Sequence, residues 1–336
     1  MSKVQLVIDI GSKFTTISQL GKGFVLKDAS LTYISNKNNK IELIDVGRSV
    51  ASYINSQDPD CKAVYPIREG AIYHERAAIL MYRAFLKRVL DKTLIKPRIN
   101  VIACVSCGLT NTEKHDIEKV LLAAGVNEVI ILESPLAMYA SLENMDSAKC
   151  LVDIGASKTE VSVVNREGIV SGCSLNIGGN TFNMAIMNYV LDTKRRKLTL
   201  EKAEKIKKQL LNLSEEESFV VNENLEELGT GHISKTQITS SEIKRAILPY
   251  LDKLVDAILT VLNQIPDKIT NEVAQNGITL CGGSSRINGL CNFLKEAIGV
   301  NVQRVDDPEN ATSIGGLYYL SHRDELSTIL NIVNLK

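Results

Sequence analysis

Apolar and polar positions divide the chain into alternating stretches of strand and helix period. Residues 3–30 carry apolar residues at strand spacing, with Gly21-Lys22-Gly23 turning one strand into the next. A polar stretch follows at 31–64, and it is too short for a core of its own. The spacing then turns helical at Ala78, Met81, Tyr82, Phe85, Leu86, Val89 and Leu90, which predicts a long helix packed by its apolar face on a sheet. After a strand at 101–105, Thr110-Asn-Thr-Glu113 is a capping box that opens a helix through Ile117, Val120, Leu121 and Ala124, stopped by Gly125. A strand at 128–132 leads into Glu133-Ser134-Pro135, where Ser134 is the predicted N-cap and Pro135 the first helical residue.

The second half repeats the alternation. Ile177-Gly178-Gly179 starts a helix predicted to run to about Tyr189, and Thr199 can cap another over Leu200, Ala203, Ile206 and Leu210. The basic run Lys194-Arg-Arg-Lys197 reads as a solvated face, and residues 212–238 as polar strands and loops. Thr239-Ser-Ser-Glu242 is a second capping box, opening a long helix through Ile243, Ile247, Leu251, Leu254, Val255, Ile258 and Leu262 that Pro266 ends. A helix at 290–298 follows, and Ala311 begins a final helix expected to return to the first half, with an apolar tail from Ile329 to Leu335.

Candidate chemistry sits in the turns. Cys150-Leu-Val-Asp153-Ile-Gly155-Ala-Ser-Lys158-Thr-Glu-Val-Ser-Val-Val164 reads as strand, small-residue turn and strand. Its tip exposes backbone N–H groups that can cradle a phosphate, and Asp153 at the strand end can hold a hydrated Mg²⁺. Val7-Ile-Asp9-Ile-Gly11-Ser12-Lys13-Phe14-Thr15 repeats the device near the N-terminus. The repetition predicts two related lobes, each giving a phosphate loop and a carboxylate to a shared cleft. A third turn, Gly282-Gly283-Ser284-Ser285, again follows a strand and suits the sugar and base of a nucleotide.

Composition narrows the reading. The 336 residues are 44% hydrophobic, enough for two sizeable cores. Lys and Arg number 39 against 39 Asp and Glu, so no general attraction to nucleic acid is expected. No signal peptide and no run of about 18 apolar residues is present. Seven scattered cysteines suit a reducing compartment. Cys104-Val-Ser-Cys107 matches C-x-x-C but lies on a strand, where residues three apart face opposite ways.

These motifs resemble those of the actin, sugar kinase and heat-shock chaperone ATPase superfamily, and within it the MreB-like bacterial actins. That family carries an Asp-hydrophobic-Gly-Thr first loop, an Asp-Ile-Gly-Gly-Gly-Thr-Thr-Glu second loop and a Leu-Thr-Gly-Gly-Gly adenosine turn. Further likeness lies in Tyr65-Pro66-Ile67-Arg68-Glu69-Gly70, Lys96-Pro97-Arg98, Ile177-Gly178-Gly179 and Glu204-Lys205-Ile206-Lys207. The resemblance implies an α/β, actin-like two-lobed fold. The first lobe would hold 1–30, 65–148 and 316–336 with a small insert at 31–64. The second would hold 149–178 and 239–315 with a small subdomain at 179–238.

It also implies ATP or ADP with Mg²⁺ as cofactors. Asp9 and Asp153 would hold the metal through water. Ser12, Lys13 and Phe14, Ala156, Ser157 and Lys158, Glu204, Lys205, Ile206 and Lys207, and Gly282, Gly283, Ser284 and Ser285 would line the nucleotide. Two departures bear on hydrolysis: Ser134 stands where the family has the second Glu of Glu-Glu-Pro, and Lys158 where it has the first Thr after the glycines. Both family residues position the attacking water, so the chain is expected to be at most a slow ATPase. Leu94 and Ile95, beside Lys92, Lys96 and Arg98, match a pair that dips into a membrane. The implied protein polymerises with itself, and with paralogous filament proteins, into filaments on the inner membrane surface that direct cell shape. The alternative is a metabolic kinase of the same fold, which needs an Asp base and a hydroxylated substrate.

Overall fold

A computed structural model describes residues 3–37, 40–53, 58–90, 97–142, 145–214 and 219–330. The chain forms two compact units. One comprises Met1–Ser147, Val164–Ile169 and Asn310–Lys336; the other comprises Ala148–Val163 and Val170–Glu309.

The first unit opens with β1 (Lys3–Ile10), β2 (Phe14–Gln19) and β3 (Gly23–Ala29), followed by β4 (Thr32–Lys37), β5 (Lys40–Val46), β6 (Cys61–Val64), and the short β7 (Ile67–Arg68) and β8 (Ala71–Ile72). Helix α1 (Glu75–Leu90), β9 (Arg98–Val105), α2 (Asn111–Ala124), β10 (Glu128–Glu133) and α3 (Ser134–Ala140) come next. The main sheet has the order β10-β9-β1-β2-β3, with β1 antiparallel to β2 and parallel to β9. Leu6, Ile8 and Ile10 of β1 bury one sheet face with Met81, Tyr82 and Phe85 of α1 and Ile117, Val120 and Leu121 of α2. That is the apolar stripe read from the helical spacing, now closed by the alternate residues of a strand. The insert forms a separate sheet, β5-β4-β6, where Leu31, Tyr33 and Val50 cluster and Tyr33 stacks on Tyr53 at 4.6 Å.

Both capping boxes form. Thr110 Oγ1 accepts the Glu113 amide at 3.2 Å while Glu113 Oε2 accepts the Thr110 amide at 2.8 Å, and Gly125 closes α2 at φ 113°. Ser134 is a correction: Glu133 is the N-cap of α3 and Ser134 its first residue. The Ser134 hydroxyl donates to the Val105 carbonyl at 3.0 Å, so it ties α3 to β9 rather than capping its own helix.

The second unit runs β11 (Lys149–Ile154), β12 (Thr159–Asn165), β13 (Gly168–Leu175), α4 (Gly179–Lys194), β14 (Arg196–Lys197), α5 (Leu200–Leu210), β15 (Val220–Glu227), β16 (Ile233–Thr239), α6 (Ser240–Leu262), α7 (Asp267–Asn276), β17 (Ile278–Cys281), α8 (Leu290–Ile298) and β18 (Val302–Arg304). Its main sheet has the order β13-β12-β11-β17-β18, with β17 parallel to β11 and β18. A small sheet, β14-β15-β16, stands apart. Helix α4 runs past Tyr189 to Lys194 and stops at Arg195, whose φ is 56°. The basic run is paired rather than simply solvated: Lys194 meets Glu242 at 2.8 Å, Arg196 meets Glu227 at 3.3 Å and Lys197 meets Glu226. Helix α6 ends at Leu262 with Asn263 as cap, and Pro266 instead starts α7. The chain then returns to the first unit with α9 (Ala311–Ser321) and α10 (Arg323–Ile329). Leu94, Ile95 and the tail beyond Leu330 lie outside the described residues.

Candidate functional site

In the first unit, Asp9 sits one residue from the end of β1, opposite Thr16 on β2 and in register with Cys104 on β9. Burial, followed by the Asp9 charge, pushes the Cys104 thiol well up, which keeps it neutral and inert. The loop at 11–13 is fixed through its carbonyls. Ser30 donates its amide to Lys13 O at 3.0 Å and its hydroxyl to Gly11 O at 2.6 Å. The Gly70 amide reaches Ser12 Oγ at 3.4 Å. Phe14 presents its ring to two cations, Lys13 Nζ at 5.7 Å and the Arg48 guanidinium at 5.4 Å from the ring centre. Ser134 is 7% exposed, with its hydroxyl on Val105 O as described above.

In the second unit, β11 delivers Asp153 in register with Cys281 of β17, the same Asp–Cys arrangement as in the first. The turn at 155–158 is closed by the Gly155 amide on Lys158 O at 2.9 Å. The start of α4 packs on it through backbone: Gly179 N donates to Gly155 O at 3.0 Å and Asn180 N to Ala156 O at 2.7 Å. A side chain at Gly178 would place its Cβ 2.8 Å from the Gly155 and Ala156 carbonyl oxygens, so only glycine admits this approach. Ser284 adds its hydroxyl to Gly155 O at 3.1 Å, and Lys207 Nζ donates to Gly179 O at 2.8 Å. Gly282, at φ 79°, lies so close to the end of β11 that a Cβ there would overlap Asp153 Oδ1 and lie 2.6 Å from Ile154 O. The turn after it is braced by Gly282 N on Pro308 O at 2.7 Å and Ser285 Oγ on Gly282 O at 2.6 Å.

Burial alone pushes the Asp153 carboxyl from 3.8 up to about 6. A carboxylate desolvated in this way, with no compensating charge among the causes of its shift, fits a divalent cation that would restore its ionised form. Among the described residues no group of three or more His, Cys, Asp or Glu is placed to hold a metal directly. The donor set therefore fits a hydrated Mg²⁺ taken by a carboxylate together with phosphate oxygens, not a dedicated protein cage.

The residues expected from sequence divide by placement. Within the second unit Ala156, Ser157 and Lys158 form the turn after Asp153, Ser284 bonds it at Gly155 O, Lys207 reaches the start of α4 packed on it, Gly282 lies against Asp153, and Gly283 and Ser285 belong to the same turn as Ser284. Within the first, Asp9, Ser12, Lys13 and Phe14 gather around the loop at 11–13. In the Glu204–Lys207 segment Lys207 reaches the start of α4, Glu204 pairs with Lys208 at 2.8 Å, Lys205 with Glu223 at 3.5 Å, and Ile206 is fully buried in the core. The Ile206 side chain is thus core packing rather than a lining group. Ser30, Arg48 and Gly178 were not among the expected site residues. The partners described above lie 17 or more positions away in sequence, where local pattern carries no signal.

Residues 3–328 match the MreB/Mbl protein family. The cell shape-determining protein MreB of Escherichia coli (strain K12) is 28% identical over 317 residues, covering 93% of this chain and 91% of the relative. The cell shape-determining protein Mbl of Bacillus subtilis (strain 168) is 25% identical over 326 residues, covering 95% and 96%. Among solved structures, MreB5 of Spiroplasma citri bound to ADP superposes with a TM-score of 0.88 at 22% identity over 98% of this chain and 99% of that one. The same protein bound to AMPPNP gives 0.86 at 21% identity, over 97% and 98%. A MamK double helical filament gives 0.78 at 18% identity, over 95% and 99%. A sequence match running almost from end to end, on an α/β architecture shared with MreB5 and MamK, places the chain in the MreB/Mbl family, with an actin-like fold.

Proposed function

We propose that the protein is an ATP-binding bacterial actin that polymerises with itself and contributes to cell shape or cytoskeletal organisation. The observation that carries this is the loop at 155–158. Its carbonyls are held by backbone, by Ser284 and by the start of α4, beside a carboxylate whose burial favours a cation. The ADP and AMPPNP of the MreB5 structures and the filament of MamK support the same ligand class and assembly.

In this reading Asp153 and Asp9 would each hold Mg²⁺ through water, and the metal would supply positive charge that offsets that of the phosphates. The two loops position phosphate through backbone amides, and the turn at 282–285 faces the adenosine. Lys158 adds an ammonium, which attracts phosphate charge but orients no water. Ser134 offers no carboxylate, and its hydroxyl already donates to Val105 O. Hydrolysis is therefore slow while nucleotide binding persists.

The protein acts in the cytoplasm at the inner face of the membrane, through Leu94 and Ile95 acting in many copies along a filament, alone or with paralogous filament proteins. No helix among the described residues is long and apolar enough to cross a membrane. The kinase alternative is not favoured, because the family match is to MreB/Mbl over nearly the whole chain. Electron microscopy of the purified chain with Mg²⁺, with and without ATP, tests the reading. Filaments that depend on ATP are expected; no polymer under any nucleotide, together with no ATP binding, overturns it.

A further inference from the structure

We propose that the Ser284 hydroxyl is a latch joining the turn at 282–285 to the loop at 155–158, so that the two ends of a bound nucleotide are held cooperatively. The inference rests on the nucleotide reading above and adds to it a positioning residue. The Gly155 carbonyl has two lone pairs, and two donors take them: Gly179 N from the start of α4 at 3.0 Å, and Ser284 Oγ at 3.1 Å. A Cβ placed on Gly179 would lie 2.8 Å from Ser284 Oγ and 3.3 Å from Lys207 Nζ, so loop, helix start, turn and α5 converge on one spot. The turn is itself firmly anchored, by Gly282 N on Pro308 O and by Arg304 Nη1 on Ser285 O at 3.2 Å. A displacement of the loop therefore strains the Ser284 bond rather than dragging a slack turn.

A glycine at this position would have no hydroxyl with which to make the bond. The first unit shows that such a link is not inherent to the hairpin. There Gly11 O is held by Ser30, which directly follows β3 of the same sheet. The second loop is tied to the turn that would face the base. An ordinary neutral hydrogen bond is expected to change ATP affinity by about fivefold.

The test uses the full chain with Mg²⁺ and the fluorescent analogue mant-ATP, displaced by ATP, by adenosine or by tripolyphosphate. Ser284→Ala and Ser284→Gly should each weaken ATP about fivefold and speed mant-ATP dissociation. Adenosine alone and tripolyphosphate alone should stay within about twofold of the parent, because each occupies only one end. Thermal unfolding confirms that both variants are folded. A general loosening would weaken all three ligands together, and a direct contact to the nucleoside would weaken adenosine as much as ATP; either result overturns the latch. So does unchanged ATP affinity. If the parent itself binds no ATP, the nucleotide reading falls and the latch with it, an outcome distinct from a parent that binds and variants that bind alike.

Discussion

Replacing Asp153 with Asn should stabilise the nucleotide-free protein at neutral pH while removing Mg-dependent nucleotide binding. In the unfolded chain this carboxyl loses its proton near 3.8; in the folded chain burial holds the proton until about 6. Between those values the folded state binds the extra proton, so stability falls as pH rises through the window and the full cost is present above about pH 7. A displacement of that size corresponds to about 3 kcal/mol at most. At pH 5 roughly half of it is already present.

Asparagine carries no charge to desolvate and escapes the cost at every pH. Asp153→Asn should therefore raise the thermal midpoint clearly at pH 8 and by about half as much at pH 5, roughly 2–4 °C per kcal/mol for a unit of this size. Circular dichroism melts of parent and variant in EDTA, at both pH values, measure the difference directly. A variant less stable than the parent at pH 8, or equally stabilised at both pH values, refutes the electrostatic account of the site. The same variant should lose tenfold or more in Mg-dependent ATP affinity, about 1.4 kcal/mol. Stability gained where binding is lost is the expected signature of a functional carboxylate.

Gly282→Ala should cost about 2 kcal/mol or more, from its φ of 79° and its overlap with Asp153, whereas Gly283→Ala, whose Cβ meets nothing closer than Glu309 Cγ at 3.6 Å, should stay within about 0.5 kcal/mol. Equal melting temperatures for the two would show that the turn does not press on β11. Ser134→Glu with Lys158→Thr should raise phosphate release on the order of tenfold or more. A parent already as fast as an ordinary filament ATPase, and slowed by Lys158→Ala, would instead assign catalysis to the lysine. Changing Leu94 and Ile95 to Ser should reduce sedimentation with anionic liposomes; undiminished pelleting removes the loop from the membrane reading.

What the sequence disclosed follows the range of the interactions involved. Thr110–Glu113 and Thr239–Glu242 are legible because a capping box closes within four residues. The face of α1 is legible because helical period is local, and the two Asp-Ile-Gly hairpins because each turn is short. Helix α7 escaped the reading, since Pro266 looks the same whether it ends one helix or starts the next. Pro249 inside α6 gave no stop because the surrounding apolar stripe, buried at Ile247, Leu251 and Leu254, holds the helix through it. The partners of the basic run were invisible for a different reason: Glu226 and Glu227 reach it only once β14 and β15 lie side by side, and Glu242 comes from the first turn of α6. Within the site the same limit applies. Ser284 and Gly155 are 129 positions apart, and the register of Asp153 with Cys281 exists only once β11 and β17 lie side by side.

The two loops share a frame that does not depend on the side chains expected to depart from the family's motif. In both, the carbonyl of the first glycine accepts a serine hydroxyl, from Ser30 in one unit and Ser284 in the other. In both, a further carbonyl accepts a backbone amide from beyond the hairpin, Ser30 N on Lys13 O and Asn180 N on Ala156 O. None of these bonds uses the side chains of Lys13, Phe14 or Lys158. Substitution at those three positions therefore changes what the loop presents to a ligand without changing the path of the loop, which is consistent with a TM-score of 0.88 surviving at 22% identity. Ser134 is of another kind, because its hydroxyl is part of the join between α3 and β9. Reinstating a carboxylate there gives up that bond and must seat a longer side chain at a position only 7% exposed. Ser134→Glu is thus expected to cost stability and Lys158→Thr little, so the two variants differ in their melting behaviour even where, in the proposed reading, both speed the chemistry.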